Sequence, residues 1–199
     1  MGDMDEKTFE GLSDLEKRRA LEYPQCSVEI IRAGGKDGYL WVREAAVGHP
    51  SAPVDMIRAW AGDDDFWVRM AAVGNPSAPE DVIRAGMGDE DWWVRRAAVR
   101  NPSAPEDVIR AGFEDEDPEV RIAAVENRSA PKDVLAVAAK SRQKDMRLVV
   151  AWHPRLSPDL AEKLSKSKVV QIQEALVANP VVPERIRVVV RLKLEAGRW

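Results

Sequence analysis

Residues 92–112 read WWVRRAAVRNPSAPEDVIRAG, and residues 66–86, one step upstream, read FWVRMAAVGNPSAPEDVIRAG. Most of the remaining chain is a blurred copy of this unit, so the fold must be repetitive. Val42-Arg43, Val68-Arg69, Val94-Arg95 and Val120-Arg121 recur at a spacing of 26, with Arg147 and Gln173 in the next two slots. The turn gives an independent grid: Tyr23-Pro24, His49-Pro50, Asn75-Pro76, Asn101-Pro102, Asn127-Arg128, His153-Pro154 and Asn179-Pro180. The two series define seven units from about Asp14 onward. Pro154 and Pro158 are four apart where Pro50 and Pro53 are three apart. That difference predicts a one-residue insertion in the sixth unit, compensated before Gln173.

Each unit predicts two short helices. The first opens at an acidic N-cap: Asp65, Asp91, or Asp117 with Pro118 behind it at the position where a missing N–H costs nothing. Val68, Ala71 and Ala72 share one face at i, i+3, i+4. Proline after Asn75 or Asn101 pushes that residue out of the α region and ends the helix. Ser77 to Glu80 and Ser103 to Glu106 predict capping boxes for the second helix. Gly86 and Gly112 predict its C-terminal end. Helices of about two turns are not stable alone, so they must stack on neighbouring units as in a solenoid. The alanine pairs Ala45-Ala46, Ala71-Ala72, Ala97-Ala98 and Ala123-Ala124 predict close packing of the stack. The expected architecture is all-α, one solenoid domain over residues 1–199. An N-terminal cap (1–13) is anchored by Phe9 and Leu12, and a longer capping helix spans 183–199.

The repeated ValArg-x-AlaAlaVal-x-AsnPro-x-x-Pro-Glu-Asp-ValIle-Arg-Ala element resembles the leucine-rich repeat variant family over about residues 14–190. The resemblance implies α- and 3₁₀-helices alternating in a right-handed superhelix without strands. Some members of that family carry a cysteine-rich iron–sulfur segment, which the single Cys26 cannot supply. The Asp-x-x-ValArg element is also similar to HEAT-type repeats, which makes a two-helix α-solenoid the neighbouring reading.

The chain has 199 residues, 45% hydrophobic, and a net charge of −4. Residues 1–131 hold 16 basic and 27 acidic side chains, residues 132–199 hold 14 and 7. Such a dipolar chain can steer partners. No apolar run approaches a membrane span, the acidic N-terminus is unlike a secretory signal, and one cysteine builds no disulfide framework. A cytoplasmic setting is the expectation.

No catalytic signature stands out. His49 and His153 are four units apart, the acidic loops lack EF-hand spacing, and no P-loop occurs. Neither an enzyme nor a cofactor or metal site is expected. Several repeated columns keep two readings open. The Asn/His column either faces a ligand or caps turn backbone. Arg43, Arg69, Arg95, Arg121 and Arg147 in one column, and Arg32, Arg58, Arg84 and Arg110 in another, either bind phosphate or pair with the acidic loops. Trp41, Trp67 and Trp93 form an aromatic column beside Phe66 and Trp92. It either packs between repeats or offers a docking stripe with Arg69 and Arg95 at its rim. The expected function is therefore protein–protein interaction, with an unidentified protein as partner. A nucleic-acid-binding alternative would use Lys163, Lys166, Lys168, Arg185, Arg187, Arg191, Lys193 and Arg198.

Overall fold

A computed structural model describes residues 4–197, so Arg198 lies outside the described residues. Within them the chain forms fifteen α-helices and no strand. The short α1 (Glu6–Glu10) precedes the repeats. The first helices of the seven units are α2 (Asp14–Leu21), α4 (Leu40–Gly48), α6 (Phe66–Gly74), α8 (Trp92–Arg100), α10 (Pro118–Glu126), α12 (Lys144–Trp152) and α14 (Val170–Ala178). The second helices are α3 (Val28–Gly35), α5 (Val54–Trp60), α7 (Glu80–Met87), α9 (Glu106–Phe113), α11 (Lys132–Ala138), α13 (Pro158–Leu164) and α15 (Glu184–Glu195).

Both series start every 26 residues without a slip. The expected insertion in the sixth unit is therefore absent. Ser157 stands in the slot that proline fills elsewhere, and Pro158 is the first residue of α13. The second helices are α throughout, not 3₁₀: they run seven to twelve residues, longer than 3₁₀ geometry comfortably sustains.

Helix starts follow two rules. Asp65, Asp91 and Asp117 cap α6, α8 and α10 by accepting from the N–H two residues on. The capping box expected at Ser77 does not form. Pro79 is the extended N-cap of α7, which puts Glu80 at the first helical position rather than the third. Ser77 belongs instead to the preceding turn, where its N–H donates to Asn75 Oδ1. Serine caps a helix where no proline takes that place, as at Ser27 and Ser157, and Ser13 with Glu16 builds the reciprocal box.

The chain divides into two compact units, Met1–Val108 and Ile109–Trp199. In the first, α4 packs on α2 and α6, α6 on α8, and α3 and α7 pack on α4 and α8. In the second, α12 packs on α10 and α14, and α15 covers α14. The core is built from grid columns. Val42, Val68, Val94, Val120, Met146 and Ile172 form one, and Ile31, Ile57, Ile83, Ile109 and Leu135 another. Of each alanine pair, Ala46, Ala72, Ala98 and Ala124 lie fully inside. Ala45, Ala71 and Ala97 are half-buried on the opposite edge of the helix. Phe9 anchors the N-terminal cap, and α1 packs on α3. At the other end Ile186 and Val190 of α15 face inward, while Val188, Val189 and Leu192 remain exposed.

Candidate functional site

The arginine columns are ties between units. Arg69 places Nη1 on the carbonyls of Asp63 and Asp64 in its own unit's loop, and its Nε and Nη2 grip both carboxylate oxygens of Asp89 in the next. Arg43 does the same with Asp37, Gly38 and Asp63. This is the forked geometry that only guanidinium provides. Burial raises the carboxyl pKa of Asp89, but hydrogen bonds from Arg69 and the Asp91 N–H, with the charges of Arg69 and Arg95, outweigh it and hold the group below its ordinary value. The second column does not reach the acidic loops as expected. Arg32, Arg58 and Arg84 pair with Asp55, Asp81 and Asp107, the second residue of the following unit's second helix. Arg110 pairs with Asp133 likewise. These pairs are exposed, so solvent screens them and each contributes little to stability.

The Asn column is a second tie. Asn75 Nδ2 donates to the carbonyls of Val47 and His49 in the preceding unit at 2.7 and 3.0 Å, and its Oδ1 accepts from Ser77 N–H at 2.8 Å. Asn101 and Asn179 repeat the pattern. Histidine does the same work. His153 Nδ1 accepts from Arg155 N–H, which fixes the proton on Nε2, and Nε2 donates to the Asn127 carbonyl. These buried side chains face backbone, which removes the ligand-ladder reading for them.

The neutral tautomer at His153 has a consequence for stability. Burial lowers its pKa; the hydrogen bond to the Asn127 carbonyl opposes this, and the charge of Arg155 adds to it. A lowered histidine pKa means that the folded chain binds the proton less well than the unfolded one. The stabilisation is complete above the ordinary value of about 6.5 and is lost as pH falls from there through the folded value. Thermal melts from pH 7.5 to pH 5 should therefore decline more steeply for wild type than for His153→Asn, which keeps both bonds without a titrating ring. Parallel curves would contradict this assignment.

The aromatics sit elsewhere. Trp41, Glu44, Ala45 and Gly48 of α4 lie at i, i+3, i+4 and i+7, one helix face. Trp67, Met70, Ala71 and Gly74 of α6 and Trp93, Arg96, Ala97 and Arg100 of α8 repeat that face in register. Small residues let the helices close up: a methyl group added at Gly74 would lie 3.7 Å from Ala97 Cβ, and one at Gly48 would lie 3.8 Å from Ala71 Cβ. The result is a groove of about 540 Å³ whose floor is Ala71 and Ala97 and whose wall is Trp67, Met70 and Trp93. The indoles line up along it. Trp41 and Trp67 have centroids 5.6 Å apart, and Trp67 and Trp93 6.4 Å. Phe66 and Trp92 back them at 4.7 and 4.0 Å from their neighbours. Trp41, Phe66, Trp67 and Trp92 are half-buried, and Trp93 is 37% exposed. The rings pack between repeats and also present an open edge at Trp93.

Arg69 and Arg95 do not form the rim of this stripe. Arg69 is committed to the tie described above, and Arg95 places Nη1 on the carbonyls of Asp89 and Glu90. The arginines beside the rings are Arg18, 5.8 Å from the centroid of Trp41, and Arg96, 5.9 Å from that of Trp93. They belong to the column Arg18, Glu44, Met70, Arg96, whose identities vary from unit to unit, so repetition alone did not expose it. Burial raises the carboxyl pKa of Glu44, against the opposing charge of Arg18. Arg96 Nε is buried and, among the described residues, has no hydrogen-bond partner.

Elsewhere no three His, Cys, Asp or Glu side chains among the described residues meet as a metal site would require. No described helix is long and apolar enough to cross a membrane.

The paired short helices, stacked through recurrent side-chain ties, define a helical repeat protein. No family model matches the chain, and no curated protein matches it. Among solved structures it is similar to one described as a leucine-rich repeat variant with a novel repetitive protein structural motif. The TM-score is 0.59 and the identity 19%, over 96% of this chain and 89% of that one. At that identity the likeness establishes the shared helical repeat fold.

Proposed function

We propose that this repeat protein is a non-enzymatic binding module whose first compact unit holds a peptide segment of a protein partner in the tryptophan-walled groove. The observation that carries this reading is the groove itself. Indoles aligned along it and ending at the exposed Trp93 lie above a floor of small side chains, with a buried, unpartnered Arg96 Nε at one end. Rigid aromatic surface of this kind anchors protein interfaces at low entropic cost. A donor left without an acceptor is best completed by a carboxylate. The partner segment therefore carries a bulky apolar side chain to lie on Trp67 and Trp93, next to an Asp or Glu that reaches Arg96.

The test is a display selection with random twelve-residue peptides. Enriched peptides should pair a bulky apolar residue with a nearby acid, and should bind Trp93→Ala about 30-fold more weakly, as loss of a ~2 kcal/mol anchor implies. Enrichment of peptides that bind Trp93→Ala and Arg96→Gln as well as wild type would refute the groove. Nucleic acid is the second reading. It rests on the exposure of Lys163, Lys166, Lys168, Arg185, Arg191 and Lys193 in the second unit. Filter binding that falls steeply with salt would support it.

A further inference from the structure

The arginine tie changes character along the chain. In the first unit each acidic loop supplies a carboxylate, Asp63 or Asp89, to the guanidinium of the preceding helix. At Arg121, in the second unit, the arginine remains and the acid that should serve it does not. Arg121 still places Nη1 on the carbonyls of Asp115 and Glu116. The grid position that should supply its carboxylate is Ser141, 20 residues on, as Asp63 is from Arg43. The Ser141 hydroxyl is occupied in turning the loop, accepting from Gln143 N–H at 3.1 Å. Among the described residues Nε and Nη2 of Arg121, the two groups that grip the acid elsewhere, have no protein partner. Arg121 lines a cavity of about 600 Å³.

The rest of that cavity matches the vacancy. The loop that was acidic in the earlier units here reads Lys140-Ser141-Arg142, and Lys140 and Arg142 line the space with Arg121. No carboxylate lines it. Phe113, Val137 and Met146 form its apolar side.

We infer that this cavity is a binding site for a phosphate monoester, whose dianionic head takes the place that aspartate holds in the earlier units. Two of its oxygens accept from Nε and Nη2 of Arg121 in the fork that Arg69 offers Asp89. Three cationic side chains around one head favour a dianion over a carboxylate or a phosphodiester, each of which brings a single charge. The apolar side receives the organic group that bears the phosphate.

The site contains its own control. Ser141→Asp restores the internal acid and should fill the fork. Titration calorimetry of the full chain with inorganic phosphate and with phenyl phosphate, at constant ionic strength, should give saturable binding to wild type. Phenyl phosphate should bind more tightly, which separates an esterified ligand from the free ion. Ser141→Asp should bind both about tenfold or more weakly, the effect expected when a charge-assisted pair is pre-empted. It should also melt no lower than wild type, which distinguishes a filled site from a misfolded one. Arg142→Ala, which leaves the fork and its backbone bonds intact, should weaken binding to a lesser degree. Absence of saturable binding to wild type would overturn the assignment. So would equal binding to Ser141→Asp, or an oligonucleotide that displaces phenyl phosphate at lower concentration.

Discussion

Replacing Asn75 by alanine should lower the unfolding free energy by about 3 kcal/mol, because it strands buried groups at both ends of one side chain. The Val47 and His49 carbonyls lose the Nδ2 donor, and Ser77 N–H loses its acceptor. Asn75 is almost fully buried, so water cannot replace these partners without opening the stack. Asn75→His should behave differently. Histidine at positions 49 and 153 accepts from the N–H two residues on and donates to the carbonyl 26 residues back. At position 75 it should therefore remain within about 1 kcal/mol of wild type at neutral pH. Urea denaturation of the three proteins decides the matter. If alanine and histidine cost the same, the ring's mimicry of the amide is wrong.

The second large effect concerns volume. A Cβ added at Gly86 would meet the Val73 Cγ atoms at 2.6 and 2.7 Å, closer than real contacts allow. Val73 is fully buried and branched at Cβ, so it has no free rotamer to yield. Gly86→Ala should therefore cost about 2–3 kcal/mol through overpacking. The chain itself suggests the remedy. The same two grid positions hold Leu21 with Gly34, Val73 with Gly86, and Ala151 with Leu164. In these three pairs bulk sits on one side or on the other, whereas Val47 with Trp60 carries it on both. Adding Val73→Ala to Gly86→Ala should recover about half of the loss or more, giving a coupling of about 1–2 kcal/mol in the double-mutant cycle. Additive losses would show that the contact is not shared as described.

The repeat was legible because its punctuation is local chemistry. Asp before the first helix caps it two residues on, and the proline after Asn or His ends it locally, so their spacing reports the helices directly. The misreadings arose where one residue type serves two ends. Serine three residues before glutamate signals a cap, but Pro79 between them takes the extended N-cap conformation, and Ser77 serves the turn. Pro158 suggested an insertion because proline can stand at the N-cap or one residue inside the helix. The arginine columns have two rows of acids at regular distances, and only the stacking tells which row each one meets. The groove was half legible. The tryptophan column was plain, but its arginine neighbours occupy a column of changing identity, and their approach to the rings depends on helices 26 residues apart.

The arginine tie also shows how the series begins and ends. Arg43 and Arg69 reach in two directions, back to their own loop and forward to the next. The first member of their column is Lys17, whose ammonium reaches forward, to Asp37 at 2.8 Å. The last is Gln173, an uncharged amide that reaches only backward, to the carbonyls of Ser165 and Ser167. One position thus uses an ammonium to open the row, guanidinium groups to continue it and a carboxamide to close it.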